Sequence, residues 1–162
     1  MKHRRLKKAE IQLIKDELKK YLKNAEDFQY GNLWALGGKQ INVIYAGRDV
    51  LKSLKNFKDI YNAGVIFGEI VTKNGKNKFL LSLEGMSIIS KDIVKNYAVV
   101  NKKGENLFLY GRDIFKSSIL ELKGHGKVVV FNKNMEFLGI GNYDGKMIKN
   151  VIDKGWYLRE GG

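Results

Sequence analysis

The 162-residue chain contains no cysteine, no proline and only two histidines. Without cysteine there are no disulfides, no thiolate zinc sites and no cysteine nucleophile. His3 lies in a basic tail and His125 sits between Gly124 and Gly126, which is the setting of a loop residue rather than a general base. The missing proline carries no functional implication. No apolar run approaches the roughly 20 residues of a membrane-spanning helix, and the N-terminus lacks the apolar core of a signal peptide. These absences predict a soluble, intracellular protein with no membrane role. Acidic residues are also scarce: 17 Asp and Glu face 30 Lys and Arg, for a formal charge of +13 and a pI near 9.8.

Apolar residues make up 44% of the chain and charged residues 29%, as expected of a folded protein rather than a disordered one. A charge excess of this size favours polyanionic partners. Nucleic acid leads, with an anionic membrane surface, an acidic protein or a purely solubilising surface as the other readings. The excess is not confined to a tail. Residues 1–90 hold 17 basic and 9 acidic residues, a net +8, and residues 91–162 hold 13 and 8, a net +5.

In the first half, the cluster Lys2, His3, Arg4, Arg5, Lys7 and Lys8 passes into a helical pattern through Ile11, Ile14, Leu18, Tyr21 and Leu22. It reads as an amphipathic helix docked on a sheet, its basic start being a candidate extension of an RNA-binding surface. Phe28–Gly31 and Leu33–Leu36 are strand material, and Gln40–Tyr45 is a second strand beyond the Gly37-Gly38 turn. Asp49–Phe57 has the pattern of a short helix. Val65–Val71 and Lys78–Leu83 are joined by Lys73-Asn74-Gly75-Lys76, a hairpin signal because Asn-Gly accepts the positive φ values of a tight turn. Mixed helices and strands make this half an α+β unit, ending in a boundary around Ser90–Asn96.

In the second half, Tyr97–Asn101 is a strand and Lys103-Gly104 a turn. The segment Leu107–Leu120, LFLYGRDIFKSSIL, reads as strand–turn–helix, with Gly111 supplying a positive φ and Asp113 capping the helix. Val128–Phe131 has the signature of a buried strand and Asn132–Glu136 of a polar turn. Phe137–Tyr143 is a strand in which Gly139 and Gly141 mark a bulge or close backbone approach. Met147–Ile152 has a helical face, and Gly155–Arg159 reads as a closing strand. Short strands with two short helices in so few residues predict a small β-barrel.

Six cations of this half are candidate phosphate contacts: Lys146, Lys149, Lys154, Arg159, Arg112 and Lys116. On a helix, Lys146 and Lys149 would share a face. Tyr143, Trp156 and Tyr157 are candidate stacking partners for unpaired bases. For each, a solvated charged face over buried aromatics is the plain alternative. Catalytic motifs are missing. Gly139-x-Gly141 with Gly145-Lys146 has the wrong spacing for a phosphate-binding P-loop, and no GxGxxG opens a βαβ unit. No catalytic residue, cofactor or metal is expected.

LFLYGRDIFKSSI, followed by GKVVVFN, FLGIG and IKNVIDKGWYLR, resembles the nuclear import protein seven family of ribosome-biogenesis factors. The second half is similar to that family's PUA domain, a small RNA-binding pseudo-barrel, and the chain resembles an archaeal-type member. The resemblance implies an α+β protein with an N-terminal α/β domain at 1–92 and a PUA domain at 93–162. It also implies non-catalytic RNA binding through the PUA domain, near its last helix, in maturation of the large ribosomal subunit and its precursor rRNA. Other ribosome-assembly proteins would be partners. The location would be cytoplasmic, or nucleolar in a eukaryote. The alternatives are a targeting protein or subunit of an enzyme that modifies tRNA or rRNA, and a protein-interaction module.

Overall fold

Asn74 and Gly75 both adopt positive φ, 52° and 71°, in the computed structural model, which describes residues 3–38, 40–54 and 64–160. That turn closes the hairpin between β4 (Val65–Lys73) and β5 (Lys76–Leu81). These strands end a five-stranded antiparallel sheet, in the order β1-β2-β3-β4-β5, with β1 (His3–Arg5), β2 (Leu33–Gly37) and β3 (Ile41–Tyr45) before them. Helices α1 (Lys8–Leu18), α2 (Arg48–Leu54) and α3 (Leu83–Ile89) complete a first compact unit, residues 1–89. Ile14, Leu18, Tyr21 and Leu22 of the helical pattern are all buried. Burial of large apolar side chains stabilises by about 1.5–3 kcal/mol each, so these residues hold α1 and the turn that follows it in place. Phe67 stacks on Phe79 with ring centroids 6.0 Å apart and lies 5.3 Å from Phe28.

The basic start of the chain differs from a free cationic arm. His3, Arg4 and Arg5 pair with Leu36, Ala35 and Trp34 as an edge strand. The Arg4 guanidinium grips the Glu10 carboxylate through two hydrogen bonds of 2.8 and 2.7 Å, and the Lys7 amide donates to the same carboxylate at 2.7 Å. Arg5 lies 4.3 Å above the Trp34 ring and donates to Gly31 O. Phe28–Gly31 is not a strand: a 3-10 turn over Tyr30–Asn32 leads into β2. Of the basic cluster, Lys2 lies outside the described residues, as does the end of the expected Asp49–Phe57 helix.

The second compact unit, residues 90–162, holds a six-stranded sheet in the order β7-β11-β10-β9-β6-β8. Its elements are β6 (Tyr97–Val100), α4 (Lys102–Leu109), β7 (Ile114–Phe115), β8 (Ile119–Lys123), β9 (Gly126–Phe131), β10 (Phe137–Tyr143), β11 (Met147–Asp153) and α5 (Trp156–Glu160). β6 and β9 run parallel, and the other pairs are antiparallel. Phe108 of α4 is wholly buried with Ala98, Val100, Ile114, Val128, Val130 and Ile148. Gly139 admits Phe108, because a Cβ there would meet its ring at 2.9 Å.

Four expected elements are overturned here, the Lys103-Gly104 turn among them, since both residues lie in α4. The Leu107–Leu120 segment runs helix–turn–strand rather than strand–turn–helix. Asn101, not Asp113, is the N-cap, its Oδ1 accepting from Gly104 N at 2.9 Å. Gly104 resembles a turn residue in sequence, yet it lies within the helix at a close packing contact: a Cβ would lie 3.0 Å from Val100 Cβ and 3.1 Å from Ser118 Cβ. Gly111, at φ 76°, ends α4 in a Schellman motif. Gly111 N donates to Phe108 O and Arg112 N to Leu107 O, each at 2.9 Å. Asp113 instead anchors β11, its Oδ1 accepting from Asn150 N at 2.9 Å.

Met147–Ile152 is a strand, not a helix. Its apolar residues fall at three- and four-residue steps because a bulge leaves Val151 unpaired, between Asn150 opposite Gly141 and Ile152 opposite Ile140. Gly155–Arg159, expected as a strand, enters α5 instead. The paired register of β11 with β10 ends at Asp153 opposite Gly139, Lys154 N makes one more bond to Leu138 O at 2.9 Å, and the following residues bond locally, with Leu158 N donating to Gly155 O at 3.0 Å.

Candidate nucleic-acid interface

Along α4, Lys103, Asn106, Leu107 and Tyr110 recur at helical spacing and fall on one stripe. With Arg112, just past the Schellman turn, they line an open groove of about 680 Å³. Tyr110 is 76% exposed, an unusual state for an aromatic side chain without a partner surface. Among the described residues no carboxylate pairs with Lys103 or Arg112. The groove therefore offers an aromatic face, two uncompensated cations and an amide. That combination is chemically suited to stacking a planar base and neutralising flanking phosphates.

The end of α4, next to Tyr110, is tied down from a distant part of the chain. Asp153 is 1% exposed, and its carboxylate accepts from Arg159 at 3.1 and 2.9 Å and from Asn150 Nδ2 at 3.0 Å. Asn150 Nδ2 also donates to Phe108 O at 2.8 Å, and Arg159 donates to Leu109 O. Asp153 holds the Arg159 guanidinium above its ordinary pKa, chiefly through the direct hydrogen bond.

Lys146 and Lys149 do not share a helix face, because Met147–Asp153 is a strand. Arg112 lines the groove. Lys116 and Lys146 each lie one residue beyond the paired Phe115 and Met147, at one end of β7 and β11. Both are exposed, and Lys146 N donates to Asp144 Oδ1 at 2.9 Å in the β10–β11 turn. Lys149 projects from the middle of β11, 3.8 Å from Asp144. The amides of Met147 and Lys146 hold the Asp144 carboxyl below the usual carboxylate range, with a smaller contribution from Lys149, so it stays charged beside these lysines. Lys154 sits 5.3 Å over the Phe137 ring. Arg159 is committed to Asp153 and Leu109 O, with its side chain only 31% exposed.

A second basic row crosses the sheet. Asn142 stands opposite Lys127 on one side and Lys149 on the other, and all three are exposed. Of the aromatic candidates, Tyr143 is buried and its hydroxyl donates to Gly145 O, so it offers no free face. Trp156 is 44% exposed, and the Tyr157 side chain lies outside the described residues. Sequence reasoning missed Lys103, Asn106 and Tyr110 as a set. Their spacing after Asn101 was the available signal, hidden by reading Gly104 as a turn.

Two family models match the chain. The NIP7/UPF0113 pre-PUA domain covers residues 3–83, and the UPF0113 PUA domain covers residues 96–162. A UPF0113 protein of Archaeoglobus fulgidus is 36% identical over 112 residues, covering 60% of this chain and 61% of that protein. The chain thus spans about three fifths of that relative's length. A UPF0113 protein of Aeropyrum pernix is 30% identical over 130 residues, covering 78% of this chain and 73% of that one. Among solved structures, a conserved PUA domain protein from Thermoplasma acidophilum superposes with a TM-score of 0.61 at 14% identity, covering 99% of both chains. A PUA domain from Aeropyrum pernix, solved as a tartrate complex, gives 0.52 at 15% identity, covering 98% of this chain and 91% of that one. At these identities the two structures speak to fold alone. The α+β architecture, with a pre-PUA region followed by a PUA domain, agrees with the models: the chain belongs to the NIP7/UPF0113 family.

Proposed function

We propose that this protein binds RNA without catalysis, through its PUA domain, as an assembly factor of the large ribosomal subunit acting on precursor rRNA. It would act in the cytoplasm, or in the nucleolus of a eukaryote, beside other assembly proteins and without cofactor or metal. The observation that carries the reading is Tyr110, exposed between Lys103 and Arg112 in the α4 groove. Family membership and the net charge of +13 agree with it. Tyr110 stacks an unpaired base, and Lys103 and Arg112 neutralise the phosphates on either side. Lys116, Lys146, Lys149 and Lys154 are outlying phosphate contacts, and Arg159 acts from behind the groove.

The test is binding of a labelled single-stranded oligoribonucleotide. Tyr110→Ala loses the base stack, about 1–3 kcal/mol and so roughly fivefold or more in affinity. Arg112→Ala lowers the slope of log affinity against log salt by about 0.7. Full affinity in Tyr110→Ala would move the site elsewhere. In cells, crosslinking followed by RNA sequencing should enrich large-subunit rRNA, and enrichment of tRNA alone would favour a role in RNA modification.

A further inference from the structure

Arg159 was a natural candidate for a phosphate contact, yet its geometry gives it a different task. Two nitrogens of its guanidinium are taken by the buried Asp153 carboxylate, and one of them also donates to Leu109 O at the end of α4. The guanidinium then lies against Gly111, where a Cβ would come within 2.9 Å of Nη2. Asn150, held by the same carboxylate, donates its side-chain amide to Phe108 O and its backbone N–H to Asp113 Oδ1. The carbonyls of a helix's last turn lack intrahelical donors. Here side chains from 42 and 50 residues away supply two of them. The segment so fixed, Leu109–Asp113, carries Tyr110 and Arg112. Gly155 leaves the space this requires, since a Cβ there would collide with Leu109 O.

We propose that Arg159 is a positioning residue: with Asp153 and Asn150 it sets the α4–β7 turn so that Tyr110 and Arg112 face the RNA together. This rests on the groove reading above. The arrangement preorganises the site, so that binding does not have to order the turn.

The two roles of Arg159 predict opposite responses to Asp153→Asn. A phosphate contact would be freed and RNA would bind more tightly, whereas a positioning residue would be misplaced and RNA would bind more weakly. Arg159→Lys separates them again, because it keeps the charge and loses the two-pronged geometry. The measurements are affinity for a labelled single-stranded oligoribonucleotide and amide hydrogen exchange at Gly111 and Arg112. Expected are a loss of roughly fivefold or more in each variant, approaching that of Tyr110→Ala, and faster exchange at those amides with Val128–Val130 unchanged. Adding Tyr110→Ala to Arg159→Lys should cost little more, since coupled residues are not additive. Wild-type affinity in Arg159→Lys, or tighter binding by Asp153→Asn, overturns the proposal. If Asp153→Asn fails to fold, Arg159→Lys, at a part-exposed side chain, decides alone. Full affinity in Tyr110→Ala overturns the groove reading and this proposal with it. Loss in Tyr110→Ala without loss in Arg159→Lys overturns the positioning role only.

Discussion

Gly111 sits at φ 76°, a conformation that L side chains rarely adopt, and the Arg159 guanidinium occupies the space a Cβ would need. Gly111→Ala therefore meets both backbone strain and a displaced arginine. It should destabilise the protein by about 1–2 kcal/mol, measured by denaturant unfolding. It should also weaken RNA binding, because the strain falls within the turn that carries Tyr110 and Arg112. An exposed alanine substitution outside that turn, such as Lys133→Ala, should do neither. The need for glycine at 111 was legible in the sequence, but its task was not: Leu107, Phe108, Leu109 and Tyr110 are apolar enough to pass for a strand. What separates the two readings is the N-cap six residues earlier, Asn101, whose side chain reaches Gly104 N.

At the scale of elements, β1 and α1 are joined by the Arg4–Glu10 pair, and Glu10 is 7% exposed. The Arg4 hydrogen bonds hold the Glu10 carboxyl below its ordinary pKa, helped by the Lys7 amide and opposed by burial. A carboxyl whose folded pKa is depressed contributes stability that is fully present above its unfolded value, near 4.3, and is lost as pH falls through the folded value. Glu10→Gln should accordingly cost about 1–2 kcal/mol near neutral pH. The gap to wild type should close on acidification below about pH 4, as followed by urea denaturation across pH. A gap that stays constant with pH would place the cost in packing rather than charge. Elements with a local signature were readable, such as the Asn74-Gly75 hairpin and the Val128–Phe131 strand. β11 was not, since its bulge at Val151 depends on how Gly141 and Asn150 pair across the sheet. The basic cluster at His3–Arg5 likewise became a strand only because β2 offers it an edge. The groove was the least legible part. It is built from one stripe of α4 and a turn whose shape is set by Asn150 and Arg159, and no local pattern announces partners so distant.

For the whole molecule, the positive charge is spread over both units, so RNA association should be strongly dependent on salt. If Lys103, Arg112, Lys146 and Lys149 each neutralise one phosphate, log affinity falls with log salt at a slope near −2.8 for a single strand. Between about 50 and 200 mM monovalent salt, affinity should then drop roughly 50-fold. A flat profile in filter binding would remove the electrostatic argument.

The ties from Asn150 and Arg159 to the end of α4 also set an order of events. They span 42 and 50 residues, so contacts that shape the groove close long loops and form late compared with the α4 helix itself. On a translating ribosome, a nascent chain exposed through Arg112 already contains Lys103, Asn106, Tyr110 and Arg112, but lacks the strand and helix that hold their turn in place. If the groove is the RNA site we propose, competence to grip RNA arrives only after β11 and α5 emerge, and half-made copies would not engage the transcripts around them.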